Sequence, residues 1–431
     1  MAKEAQDQRN AARTARTEAD ARASLLEQRG SNPAEPEPEP EPEREPEPEP
    51  EPELGSGFTI PSLDRCAAAL GDLSSCTAAL HAACDCQRLD RFARISLPGT
   101  HDWLAEFAER ESGQSVAEFE AASDWRAWPS RAQPSLALVP VGEFEDGRAP
   151  DVDHIVQYMR AFFQCDVRLL PPVTFDYSNA LTDSNAREGS EGQLQLNCNP
   201  SRALQKRLRA LRPKDSCFAI MGVTMVDLYP KSDWNFVYGL ADPAKKAGVF
   251  SFARYDPSGE FSLRGGPEAR KSGSVSAKTR RPKLTDTEHR ELLRRCFRLI
   301  SHEMCHVLGL RHCIYYSCLM NGVNNDEEMD RTPLHLCPIC LRKLCSVPML
   351  AGHGTAAVDV RLRYVDMHEV FTTHGMSEEA EWVELWLRDL RKLEVEIPGV
   401  GRQGKRAPLC PVFAAQHTVR GSQKRNSIKC A

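Results

Sequence analysis

One stretch of eleven residues, HEMCHVLGLRH from His302 to His312, constrains this chain more than any other. Upstream of it, Leu292, Leu293, Cys296, Phe297, Leu299 and Ile300 recur at helical spacing, which predicts an amphipathic helix packed on a core. Thr285 and Glu288 are spaced as a capping box at its start. On such a helix His302 and His306 stand one turn apart on one face, where both imidazoles can reach one tetrahedral metal. Glu303 then borders the same site. Gly309 tolerates the positive φ of a helix-ending turn, after which the chain can bring His312 back as a third ligand. Two histidines at i, i+4 occur by chance on many helices. The added Gly309 and His312 complete H-E-x-x-H-x-x-G-x-x-H, a pattern that places them in a metal site. A later glutamate, Glu327 or Glu328, is the weaker alternative for the third ligand.

A second cluster follows at once. Cys313 and Cys318 form one pair, and Cys337-Pro-Ile-Cys340 forms another. Two such pairs separated by a loop are the ligand set of a closed structural zinc site, with no open position for chemistry. The expected complement is therefore two Zn2+, one catalytic and one structural. Cys305 and Cys345 are out of register and read as ordinary thiols. So do Cys66, Cys76, Cys84 and Cys86, since nothing near them completes a recognised set.

The rest of the chain divides by composition. Residues 1–57 are expected to be a disordered tail, dominated from Glu35 to Glu53 by a Glu-Pro repeat. Such a repeat buries no apolar surface and extends as a polyproline II spacer of about 60 Å. It carries ten glutamates against one arginine, so the chain's net charge of −6 resides there and says nothing about an acidic or basic partner. Residues 58–134 read as a mixed helical extension, in which His101-Asp102 is a turn and cap. Residues 135–350 alternate strands and helices: LALVPV, a helix from Val152 to Phe163, DVRLL, a basic-faced helix from Pro200 to Leu211, the long strand CFAIMGVTMVDLY, then NFVYGLA and GVFSFARY. That order predicts an α/β catalytic domain with a mixed, mostly parallel twisted sheet. Residues 258–283 read as a basic surface loop, 351–398 as a helical segment, and 399–431 as a basic disordered tail. There is neither a secretory signal nor an apolar run of membrane-spanning length, so the expectation is a cytoplasmic or nuclear protein without a membrane partner.

From His302 through Cys340 the sequence resembles the archaemetzincins, a metzincin branch in which the zinc-protease motif runs directly into a four-cysteine site. GVTMVDLYP, WNFVYGLA and SFAR resemble the stretches that precede the motif there, and the likeness extends roughly from Leu136 to Leu344. The resemblance implies a metzincin-like α+β fold, with His302, His306 and His312 as catalytic zinc ligands and Glu303 as general base. It also assigns Cys313, Cys318, Cys337 and Cys340 to a second zinc, and makes Met320 the methionine beneath the histidines. The implied activity is that of a zinc metallopeptidase, aminopeptidase-like, acting on peptide or protein substrates.

Three neutral imidazoles leave zinc its full charge and one position for water, whose pKa falls toward about 7. Glu303 would take that proton and later deliver it to the leaving amine. The SFARY segment is the expected sheet edge for an extended substrate. The alternative is a binding or scaffold protein, held together by the cysteine zinc, whose histidine site is catalytically weak; against it, no member of the motif is missing. Nucleic-acid binding is not expected, because the basic segments lack interleaved aromatic residues. A monomer is expected.

Overall fold

In a computed structural model of the protein, residues 58–84, 92–122, 135–144, 147–174, 185–190, 193–256, 283–347 and 358–396 are described. The tails, the basic loop through residue 282 and Cys86 lie outside them. Among the described residues four short helices come first: α1 (Leu63–Leu70), α2 (Ala78–Cys84), α3 (Trp103–Phe107) and α4 (Val116–Ala122). Then follow β1 (Ser135–Val141), α5 (Val152–Phe163), β2 (Asp166–Leu169), β3 (Ala186–Glu188), β4 (Leu194–Asn197), α6 (Ala203–Leu211), β5 (Cys217–Thr224), β6 (Asp227–Tyr229), β7 (Gly239–Asp242) and β8 (Ala247–Ser251). The chain continues with the long helix α7 (Asp286–Val307), then α8 (Asp326–Arg331), α9 (Pro338–Cys345), α10 (Val360–Thr373) and α11 (Ser377–Glu396). Residues through Leu390 form one compact unit; of the second, Arg391–Ala431, only the end of α11 is described.

The main sheet has the order β2-β1-β5-β8-β7, parallel throughout except for the last pair. Its central strands are apolar on both faces, as a parallel sheet covered on both sides requires. Leu136 and Leu138 of β1 enter the core that holds α5 and α7, while Ala137, Val139 and Val141 enter a second core with Leu204 and Leu208 of α6. The alternation slips once. Ser135 pairs with Cys217 but Leu136 with Ala219, so Phe218 is the extra residue of a bulge and shares a core with Ala219. A smaller sheet, β3-β4-β6, lies beside it in the fold's connectivity.

Two sequence expectations change here. The long strand CFAIMGVTMVDLY divides at Met225-Val226 into β5 and β6, which belong to different sheets. The Thr224 hydroxyl accepts the Val226 N–H at 3.1 Å, a local turn that competes with strand continuation. SFARY is not a sheet edge. β8 ends at Ser251 between β5 and β7, and Ala253–Tyr255 form a 3-10 turn. The edge on that side is β7, which begins within NFVYGLA and is added antiparallel outside β8, while β2 is the opposite edge.

Helix α7 begins at the expected capping box: the Thr285 hydroxyl accepts the Glu288 N–H and the Glu288 carboxylate accepts the Thr285 N–H. Leu292, Leu293, Cys296, Phe297, Leu299 and Ile300 are all buried. Phe297 stacks on Tyr158 of α5 with centroids 4.1 Å apart, and the Tyr158 hydroxyl donates to Ser301 Oγ at 3.2 Å. These contacts fix the roll of the helix, and so which way its histidines face. Side chains from residues 58–122, among them Cys66, Trp103 and Phe119, enter the same core as α7 and the cysteine cluster. No helix among the described residues is long and apolar enough to cross a membrane.

Candidate metal centre

α7 ends where the motif says it should. The Gly309 N–H donates to His306 O and the Leu310 N–H to Cys305 O, the paired bonds of a Schellman turn, with Gly309 at φ +92°. The turn directs the chain back across the face of the helix, and His302, His306 and His312 converge with their ligand nitrogens within 4.8 Å of one another.

The outer nitrogens of the rings settle what the inner ones offer. His302 Nδ1 lies 2.8 Å from Leu319 O, His306 Nδ1 2.7 Å from Leu310 O, and His312 Nδ1 2.7 Å from Glu111 Oε1. Carbonyls and carboxylates only accept, so each Nδ1 carries the proton and each Nε2 presents a lone pair. The Nε2 atoms of His302 and His306 are 2.9 Å apart. Two neutral lone pairs at that distance repel. Protonation is the poorer remedy, since burial, with the neighbouring imidazoles, pushes His302 well below the ordinary range and His306 to about 4. A cation is the better one. A tetrahedral ion with nitrogens at about 2.0–2.1 Å spaces them roughly 3.3 Å apart, so the donor set fits such an ion.

Glu303 is half-buried beside these rings, and burial raises its carboxyl to about 7 against an opposing pull from His312. Glu328, the alternative ligand, is engaged elsewhere: it accepts the backbone N–H groups of Trp103 and Asn324. Met320 is fully buried directly after Leu319, whose carbonyl holds His302, and its own carbonyl accepts the Cys313 N–H.

Cys313, Cys318, Cys337 and Cys340 are all buried, with sulfurs within 4.8 Å of one another. Cys313 and Cys337 Sγ are 3.6 Å apart, close to the roughly 3.8 Å set by a tetrahedral ion with sulfurs at about 2.3 Å. Cys318 Sγ accepts N–H groups from Met320 and Cys337, which suits a thiolate. Burial pushes the Cys318 and Cys337 thiols up. It acts on Cys313 too, but hydrogen bonds from the other three cysteines outweigh it and lower that thiol. Cys66 and Cys84 are buried in the core and belong to neither group.

One participant has no signal in the sequence. Glu111, directly after a short 3-10 turn (Ala108–Arg110), accepts from both His312 Nδ1 and Trp103 Nε1, the latter at 2.8 Å. Burial alone raises its carboxyl, but the hydrogen bonds from His312 and Trp103 oppose it, and the group is held below its usual range. His101 and Asp102 are structural: Asp102 accepts from Gly99 N and pairs with Arg331, and His101 O accepts from Asn324 and Asn325.

A family model described as Peptidase family M54 matches residues 275–346, a span that contains Glu303 and all seven candidate ligands. Archaemetzincin-2 of Macaca fascicularis is 35% identical over 270 residues, covering 60% of this chain and 71% of that protein. Archaemetzincin-1 of Rattus norvegicus is 33% identical over 263 residues, covering 59% of this chain and 50% of that protein. Among solved structures, an archaemetzincin from Archaeoglobus fulgidus aligns with 22% identity over 48% of this chain and 99% of its own, at a TM-score of 0.32.

Proposed function

The chain belongs to the archaemetzincin family of zinc metallopeptidases, and from that membership we propose that it hydrolyses peptide bonds at the three-histidine centre. In this reading His302, His306 and His312 hold a catalytic zinc, and Cys313, Cys318, Cys337 and Cys340 hold a structural one. One observation carries it: ligand nitrogens of the three histidines lie within 4.8 Å of one another, with every Nδ1 committed to an acceptor. A zinc ion bound there supplies a Lewis acid that makes water nucleophilic near neutral pH.

The chain's own residues do the rest. Glu303, adjacent to the ligands and with no hydrogen bond to its carboxylate among the described residues, takes the proton from water and returns it to the leaving amine. β7 is the edge strand of the main sheet that packs alongside α7, the edge to which an extended peptide would add by backbone hydrogen bonds. Met320, fully buried directly after the Leu319 whose carbonyl holds His302, is by the family resemblance the apolar floor of the histidines. Action at peptide amino termini is the finer expectation, carried over from the family resemblance.

The test separates metal binding from chemistry. Glu303→Gln keeps shape and removes the base, so zinc content should stay at two per chain while hydrolysis falls by about 10² to 10⁴-fold. Peptides with free and blocked amino termini, offered to the wild type, decide the terminal preference. If Glu303→Gln hydrolyses at the wild-type rate with zinc bound, the centre is not a peptidase site and the scaffold reading replaces this one.

A further inference from the structure

The three imidazoles are not secured alike. His302 and His306 stand on α7, and their outer nitrogens meet neutral backbone carbonyls 17 and 4 residues onward. His312 stands on irregular chain past the Schellman turn, and its outer nitrogen meets a carboxylate 201 residues away in sequence. We propose that Glu111 is the positioning residue of the third ligand, and that with Trp103 it makes residues 58–122 part of the catalytic centre rather than an appendage to it. This rests on the zinc reading of the three histidines given above.

The carboxylate is itself held. Glu111 Oε1 receives two donors, His312 Nδ1 at 2.7 Å and Trp103 Nε1 at 2.8 Å, which leaves the oxygen little freedom to leave the imidazole. The Trp103 ring also meets His312 edge-on, with centroids 5.0 Å apart and planes at 80°, so the imidazole is bounded on one side by an indole and behind by a carboxylate. Trp103 is anchored through its own backbone N–H to Glu328 and by packing on Phe107.

Next to Glu111 the backbone is clamped to the segment that carries His312. The Gln114 side chain, 3% exposed, donates to Gly309 O and accepts the Arg311 N–H, and Lys343 Nζ also donates to it. Gly113 stands at φ +75°, where a Cβ would fall 2.8 Å from the Tyr315 hydroxyl and 2.9 Å from Ile314. The two strands of chain are laid against each other on both sides of His312.

The chemistry follows from charge. A carboxylate behind an imidazole fixes the tautomer, sets the ring plane and makes the far nitrogen more basic than a carbonyl would. The third ligand, which lacks a helix to hold it, thereby receives the strongest partner. Glu111 touches neither water nor substrate in this account; it acts through His312. It also lies outside the span matched by the family model, residues 275–346, so the part of the chain that carries the motif does not carry this support.

The experiment uses the full-length protein under reducing conditions, with zinc at the histidine site titrated against a chromogenic chelator. Glu111→Ala should weaken that zinc by about 10 to 100-fold, the usual effect of removing such a partner. Glu111→Gln keeps an acceptor without the charge, so its affinity should fall between alanine and wild type. Its cobalt-substituted form should show a shifted visible spectrum. The four-cysteine zinc should stay at one per chain, and the metal-free melting temperature should not follow the affinity. Glu111→Ala within twofold of wild type overturns the proposal. So does a loss of affinity matched by equal destabilisation of the metal-free protein, which marks a packing role only. If Glu111→Ala does not fold, Glu111→Gln decides: wild-type affinity and an unshifted cobalt spectrum overturn it. A wild type that binds only the cysteine zinc refutes the three-histidine reading instead, a result read before any variant is compared.

Discussion

Replacing Gly309 with alanine should destabilise the protein by about 1–2 kcal/mol, entirely through backbone strain. The residue sits at φ +92°, beyond the centre of the left-handed region that an L-residue tolerates least badly. Crowding adds nothing, since the nearest atom a Cβ would meet is Phe119 Cε2 at 3.5 Å, an ordinary contact. Alanine also stiffens the unfolded chain, which contributes about 0.4–1 kcal/mol in its favour where the native φ is compatible. Here φ is incompatible, so the strain wins. Asparagine tolerates positive φ better and should recover part of the loss. The assay is reversible urea unfolding of the zinc-loaded protein, with zinc content measured beside it. A shift of midpoint without change of slope is expected, with two zinc ions retained. If the alanine variant is as stable as wild type, the helix does not end in a glycine-dependent turn and this account of how His312 is returned to α7 is wrong.

Cys337→Ser should release the structural zinc and unfold the protein. Binding at such sites is worth on the order of 10–16 kcal/mol, comparable with the whole stability of a domain; an unchanged melting temperature with two zinc ions bound would refute it. Deleting residues 1–53 should leave peptidase activity intact, because a Glu-Pro repeat brings no apolar surface to pack on the catalytic centre. A tenfold fall in kcat on truncation would contradict that.

The parts of the site legible in sequence are those governed by local spacing. A 3.6-residue period placed His302 and His306 on one helix face, a glycine ended that helix, and two cysteine pairs announced their cluster, each within a short stretch of chain. The sheet was legible in class because β1 and β5 are apolar on both faces, which only a covered parallel sheet uses. What failed was decided by competition at single residues. The Thr224 hydroxyl captures the Val226 N–H and divides a strand that its apolar pattern would continue. The edge strand is β7 rather than SFARY because pairing order is set by tertiary packing, and both segments read as extended. Glu111 was invisible for a plainer reason. Nothing near it in the chain marks a glutamate after a short 3-10 turn as the partner of a histidine 201 residues away.

His312 and Cys313 are consecutive, so a member of the histidine group is covalently joined to a member of the cysteine group. That adjacency sets an order of assembly. Cys313 and Cys337 are 24 residues apart, and His302 and His306 only four, so both groups close over short loops at small entropic cost. Closing the cysteine loop moors His312 near the helix before any distant segment arrives. The Glu111 contact requires a far longer loop, and long loops close later. The histidine centre is therefore gathered early by its neighbours and trued last by its most remote partner. A chain interrupted between those two events would hold its metal ligands together without yet holding them in line.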